Sequence, residues 1–238
     1  SANIRSAADK IIWGKTVNAG QTCVAPDYVM VHESIKNELI KEMKRSINDF
    51  YGDDIKVSES LGRIINEKHF NRLLNILESD KESLLYGGEY DEEEKYIAPS
   101  IIEVKDWNSA CMKEEIFGPI LPIMSYRDLN QVINDINKQP KPLALYLFTS
   151  DKRVEKKVLN EISSGGVSIN DTILHLANSN LPFGGVGNAG MGAYHGEESF
   201  RTFSHRKSVL KKSRVLNTTL MYPPYSDKKL MVIKRFLK

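Results

Sequence analysis

The chain has 238 residues, 41% of them hydrophobic and 27% charged, an ordinary composition for a folded protein and long enough for one to two domains. Disorder, collagen-like repeats and coiled coil are excluded, and no apolar run approaches the ~18 residues of a membrane helix. The formal charge is +2, but residues 201–238 hold eleven Lys/Arg against one acid, Asp227, a local +10 that leaves −8 on residues 1–200. A basic tail on an acidic body suits nucleic acid, an anionic membrane or an acidic protein surface, of this chain or of a partner. It lacks the aromatic–basic interleaving that stacks bases, so the acidic protein surface is the reading preferred and no nucleic-acid partner is expected. Two cysteines, Cys23 and Cys111, with no CxxC and no apolar leader, fit a reducing, cytoplasmic compartment.

In chain order, residues 6–19 have helical spacing of Ala7, Ala8, Ile11, Ile12 and Val17, with Gly20 as terminator. Val24–Val31 reads as a strand. Glu33–Tyr51 is a helix with Ile35, Leu39, Ile40, Met43, Ile47 and Phe50 on one face, and Asn66–Glu78 is another with Phe70, Leu73, Leu74 and Leu77 inward. Leu84–Tyr86 and Tyr96–Val104 read as strands around an acidic hairpin loop, Asp91–Glu94. Ile116–Tyr126 is strand-like, interrupted by Gly118-Pro119 and Pro122. Asp128–Lys138 reads as a helix, Leu143–Thr149 as a buried, continuously apolar strand, Asp151–Ile162 as a helix and Gly166–Asn170 as a strand. Strands alternating with helices predict an α/β fold with a mostly parallel sheet and flanking helices over 1–205, followed by a basic tail over 206–238 in which Ser208–Leu210 reads as a short strand.

Cys23 lies in Asn18-Ala-Gly-Gln-Thr-Cys, between a helix end and a strand, where a rigid scaffold presents reactive side chains. Cys111, in Ser-Ala-Cys-Met, has no such setting and reads as an inert buried thiol. Gly185–Gly190 fits G-x-G-x-x-G, yet no strand precedes it and Leu210 stands where an acidic residue would hold a ribose, so it reads as a close-packed loop and not a dinucleotide fingerprint. Glu114 and Glu115 are adjacent in Lys113-Glu-Glu-Ile-Phe-Gly-Pro119; in extended backbone they point to opposite faces. His32, His69, His175, His195 and His205 show no metal-ligand spacing, so no metal is expected. Asn170-Asp-Thr and Asn217-Thr-Thr match the glycosylation sequon, but nothing suggests secretion.

Taken together, Trp13-Gly-Lys15 and then Asn18–Cys23 with the following Val-Ala-Pro-Asp-Tyr-Val29, Lys113–Pro119, and Leu181-Pro-Phe-Gly-Gly-Val-Gly-Asn-Ala-Gly-Met-Gly192 resemble three motifs of the aldehyde dehydrogenase superfamily, in the family's order. Ala25-Pro-Asp-Tyr, Tyr194-His-Gly, Ser199–His205 and Tyr222-Pro-Pro-Tyr are similar to its class 3 branch, whose members favour fatty and aromatic aldehydes. The resemblance implies oxidation of an aldehyde to a carboxylate by NAD or NADP through a thiohemiacetal and a thioester on Cys23. It implies that Glu115 holds the nicotinamide ribose, that Phe117 packs near the nicotinamide, that Phe183 lines the substrate tunnel, and that Asn170 orients substrate or cofactor. It also implies a homodimer contacted through the tail. The family's dinucleotide-binding domain and its Glu-Leu-Gly-Gly base have no counterpart in these residues, so the chain is expected to be a catalytic half, inactive alone. No apolar anchor is expected at Phe236-Leu-Lys238. An acylating or semialdehyde dehydrogenase, or a non-enzymatic domain binding through the tail, remain open alternatives.

Overall fold

The computed structural model describes residues 2–215 and 219–236; Asn217 and Thr218 of the second sequon fall outside them. The chain divides into two compact units, Ser1–Phe203 and Ser204–Lys238.

The first unit is α/β. Its central sheet combines strands β1 (Val29–His32), β2 (Leu84–Tyr86), β5 (Ser100–Val104) and β6 (Ile120–Tyr126) in the order β1-β6-β5-β2. β6 runs parallel to both neighbours, with Val29 opposite Ile123 and Ser100 opposite Ile120, and only β2 is antiparallel. Side-chain alternation sends the two faces of this sheet to different helices. Ile101, Leu121 and Ile123 pack with Val31 against helices α1 (Ile4–Thr16) and α2 (Lys36–Tyr51), through Ala7, Ala8, Ile11, Ile12, Leu39, Met43 and Ile47. Ile102, Val104, Ile120 and Met124 face α3 (Glu67–Ser79), through Phe70, Leu73, Ile76 and Leu77. The result is a three-layer sandwich whose core follows the period-2 and period-3.6 patterns of the sequence.

Helix starts follow capping chemistry. The side chains of Asn3 and Asn66 accept from the N–H groups of Ser6 and His69, at 3.0 and 2.9 Å, satisfying orphan donors of the first turn. Asp128 and Asp151 cap α4 (Leu129–Asn137) and α5 (Lys152–Glu161) in the same way. These two helices pack through Val132, Ile133, Ile136, Val158 and Ile162 around Leu145 and Leu147 of a separate parallel pair, β7 (Ala144–Leu147) and β8 (Gly166–Ile169).

Several expected elements come out shorter. The first helix ends at Thr16, because Asn18 and Ala19 take left-handed backbone, φ 53° each. The strand expected from Val24 begins only at Val29: Thr22–Ala25 is a turn, and Pro26 follows it. Tyr96–Val104 is two strands, β4 (Tyr96–Ile97), which makes a hairpin with β3 (Tyr90–Asp91), and β5, split at Ala98-Pro99. β6 tolerates Pro122 because pairing with β1 starts one residue later, so on that side no ladder bond is lost. Leu143–Thr149 is not a buried strand: β7 is half-buried, with neighbours of its sheet on one edge only. The glycines after Gly190 do not prevent a short helix, α6 (Gly196–Thr202).

In the second unit, Ser208–Leu210 is irregular and not a strand, and α7 spans Asp227–Phe236. Its helix begins beyond the Pro223-Pro224 pair, which supplies no N–H groups to a helical ladder. None of its described residues is buried.

Candidate active site

The C-terminus of α1 delivers the chain into a one-turn 3-10 segment, Val17–Gly20, and then into the turn carrying Cys23. Three consecutive left-handed residues, Asn18, Ala19 and Gly20, reverse the chain. The amide of Asn18 donates to Gln21 O at 3.0 Å, and Gln21 in turn bonds Arg63 O and the Ile65 N–H, at 3.0 and 2.9 Å. Gly20 has φ +74°, and a Cβ there would lie 2.3 Å from Gly118 O. Glycine is required at this position by both backbone conformation and space. The consequence is direct contact between the loop of Cys23 and the loop of Glu115.

Thr22–Ala25 is closed by the Ala25 N–H donating to Thr22 O at 2.9 Å. Cys23 is the second residue of this turn and is exposed. Cys111 is buried; desolvation, a hydrogen bond with Asp80 and the charge of Asp80 push its thiol up to about 12. The two thiols therefore differ in access as their settings in the sequence suggest.

Glu115 sits in a loop stapled from two sides. Arg72 on α3 donates to Glu115 O at 3.2 Å, to Ile116 O, and to the Glu114 carboxylate at 3.1 Å, while Asp27 accepts from the Ile116 N–H at 3.0 Å. Glu114 is thus an ion-pair partner and the Glu115 carboxylate is left free of protein donors among the described residues. Partial desolvation, with Asp27 adding repulsion, raises the Glu115 pKa; Lys15 and Arg72 oppose this. Cys23 and Glu115 both line one cleft of about 800 Å³, together with Ala25, Asp27, Trp107 and Tyr146.

The other expected site residues lie off that cleft wall. Phe117 follows Glu115 on its loop, exposed and with φ 49°. Phe183 is buried, bridged to Tyr194 by two backbone hydrogen bonds of 2.9 Å and packed among His175, Tyr194 and His195 rings. The side-chain amide of Asn170 is committed to the main chain: it accepts from Thr149 N–H and donates to Thr149 O, each at 2.9 Å. Asn170 thereby clamps the ends of β7 and β8, using one of its two amide N–H groups and one oxygen lone pair. Gly185–Gly190 contains a 3-10 turn, Gly187–Ala189, where a fingerprint would open a helix.

The sequence offered Lys15 only as the end of the motif fragment Trp13-Gly-Lys15, with neither a role nor its burial read from it. Lys15 is 2% exposed, and its Nζ has no hydrogen-bond partner among the described residues. Burial lowers its pKa to about 8, against the attraction of Asp27 and Glu115. Its signal was its position, three and four residues beyond Ile12 and Ile11 on the inward face of α1. The fall from 10.5 to about 8 is worth roughly 3 kcal/mol against folding while the lysine is charged in both states. Between those values the unfolded chain holds the extra proton, so stability rises with pH, and the penalty is gone above the upper one. Lys15→Met is accordingly expected to stabilise the chain by about 1–3 kcal/mol at pH 7, with the gain vanishing near pH 10.5. Denaturant unfolding at both pH values checks this; no gain at pH 7, or an equal gain at both, contradicts it.

Comparison with known proteins adds the following. The aldehyde dehydrogenase family model matches residues 1–209. The chain is 50% identical over all 238 residues to 4,4'-diaponeurosporen-aldehyde dehydrogenase of Staphylococcus aureus, of which it covers 52%, and 52% identical over 207 residues (87% of this chain) to the dimeric NADP-preferring aldehyde dehydrogenase of Mus musculus, of which it covers 45%. It superimposes on Staphylococcus aureus AldH in its substrate-bound state with a TM-score of 0.93 at 50% identity, covering all of this chain and 52% of that one. The chain spans about half the length of these relatives.

Proposed function

The chain belongs to the aldehyde dehydrogenase family, and from that premise we propose that residues 1–205 supply the nucleophile and the ribose-binding carboxylate of an NAD(P)-dependent oxidation of fatty or aromatic aldehydes to carboxylates. The observation that carries this reading is the shared cleft: an exposed thiol, Cys23, and an unengaged carboxylate, Glu115, line one cavity and are locked together through Gly20 and Gly118.

The Cys23 thiolate attacks the aldehyde carbon; the carbonyl electron pair moves to oxygen, and the Cys23 backbone N–H is placed to donate to it. Loss of hydride from the resulting carbon leaves a thioester on Cys23, which water hydrolyses to the carboxylate and the free thiol. The residues present fit the nicotinamide-ribose end of a dinucleotide, since an ionised carboxylate offers two acceptor oxygens to two ribose hydroxyls. When bound, the dinucleotide supplies the hydride acceptor. Phe117, exposed two residues after Glu115 on the same loop, is assigned to the nicotinamide side by the family resemblance. Phe183, packed among His175, Tyr194 and His195 off the cleft wall, is assigned to the substrate tunnel on the same ground alone. The 206–238 tail is read as a contact for a second copy, on the support of its exposed Val209, Leu210, Leu230, Met231 and Phe236 and of a relative named as dimeric. Two unpaired thiols support a reducing, cytoplasmic setting.

The test is an assay of the full-length protein that carries this sequence, with octanal, benzaldehyde and a semialdehyde, each with NAD and NADP. Formation of reduced cofactor with the first two, lost in Cys23→Ser, is the expected result. Preference for the semialdehyde, or dependence on an added acyl acceptor, overturns the substrate reading.

A further inference from the structure

Tyr146 reaches the nucleophile turn from 122 residues away. It lies on β7, and its hydroxyl donates to Val24 O at 2.6 Å. Val24 follows Cys23, and its carbonyl belongs to the peptide that joins it to Ala25, whose N–H closes the turn on Thr22. The phenol therefore grips the turn at its far end. The amide of Ile173 faces the same phenol oxygen, in a residue held at φ 60°, an unfavourable backbone conformation for a β-branched side chain. The ring is braced edge-on by His175, with centroids 5.8 Å apart. Burial pushes the Tyr146 pKa up to about 12, so the hydroxyl remains a donor throughout the neutral and mildly alkaline range. Inside the turn, the N–H groups of Cys23 and Val24 donate to no protein acceptor among the described residues.

We propose that Tyr146 is a positioning residue for Cys23: its hydroxyl pins the Val24 carbonyl, and so holds the two unpaired amides of the turn where they can donate to the oxygen of a carbonyl compound adding to the thiol. The proposal rests on Cys23 being the nucleophile. In the step concerned, a sulfur electron pair forms the C–S bond, the carbonyl π pair moves to oxygen, and the resulting oxyanion is met by the amides; nothing is oxidised. Tyr146 touches neither carbonyl nor sulfur and acts through the geometry of the turn. A phenol serving only to fill space beside His175 would show no selectivity for the addition step.

The experiment uses an aryl trifluoromethyl ketone, whose reversible thiol adduct carries an ionisable oxygen, followed by fluorine NMR on the native chain. Iodoacetamide alkylation of Cys23, which develops no oxyanion, is measured alongside by peptide mass spectrometry. Tyr146→Phe is expected to weaken the adduct about tenfold, while alkylation stays within about twofold and the circular dichroism is unchanged. Unchanged adduct affinity overturns the role of Tyr146 and leaves Cys23 as nucleophile. Adduct and alkylation falling together mark a general disturbance of the fold and overturn it equally. A wild-type chain that forms no adduct at Cys23 overturns the nucleophile reading and this inference with it.

Discussion

Iodoacetamide in limiting amount is expected to label Cys23 of the native chain at least about a thousandfold faster than Cys111. Cys23 stands exposed on a turn. Cys111 is 1% exposed, and its thiol, pushed up to about 12, is ionised to only about one part in ten thousand at pH 8. Since the thiolate is the attacking species, the raised pKa of Cys111 and its burial both act against its labelling. Cys23→Ser should leave the native chain almost unlabelled, and Cys111→Ala should leave the rate unchanged. In denaturant both thiols should react alike, which separates the effect of the fold from that of local sequence. Comparable labelling of the two in the native chain would remove Cys23 from its assigned role.

The second large effect concerns turnover. These 238 residues alone, incubated with benzaldehyde and NAD, are expected to produce reduced cofactor at least about 10⁴-fold more slowly than an intact family enzyme. Glu115 offers two acceptors to one end of a dinucleotide, and no described element cradles its pyrophosphate: the Gly185–Gly190 run is a 3-10 turn without a preceding strand. A hydride acceptor held by one carboxylate is not positioned, and positioning is the larger part of such a rate. Of the acidic side chains that line the cleft with Cys23, Asp27 accepts from the Ile116 N–H, Glu114 pairs with Arg72 and Glu115 is assigned to the ribose, which leaves none assigned as base for the water that must cleave the thioester. Addition of aldehyde to Cys23 needs neither group and should persist. Absorbance of the reduced nicotinamide gives the measurement; turnover within about tenfold of an intact enzyme would show that these residues hold the cofactor unaided.

Where one residue's neighbours in sequence are its neighbours in space, the sequence was legible. The Asp caps of α4 and α5, the acidic hairpin and most of the inward rows of α2 and α3 are local, and the structure has them where periodicity and capping put them. The exceptions are Phe50, exposed near the end of α2, and Leu74, half-buried while Ile76 is buried. Boundaries failed where backbone conformation, not hydropathy, decides: Val24 is apolar and β-branched but lies in a turn, and Ala19 is a good helix former held at φ 53°. The thiol and the glutamate were visible through their motifs. What positions them was not. Arg72 acts across 43 residues, Asp27 across 89 and Tyr146 across 122, and each is of a residue type that surfaces and cores use freely. Lys15 alone carried a hint, a charge on an otherwise apolar helical face.

Five of the seven non-glycine residues with positive φ among the described residues, all but Lys95 and His195, lie in or beside the segments around Cys23. Asn18, Ala19, Phe117, Asn170 and Ile173 all hold positive φ without being glycine, and their segments carry or adjoin the Cys23 thiol, the Glu115 carboxylate and the Tyr146–Val24 hydrogen bond. Each such residue stores on the order of 1 kcal/mol or more. A screen that selected this chain for heat resistance alone would therefore be drawn to these positions, since glycine relieves the backbone at each of them. It would loosen the geometry of the cleft in doing so, and a variant such as Phe117→Gly, at an exposed side chain, would record how much thermal stability this protein forgoes to hold the cleft in shape.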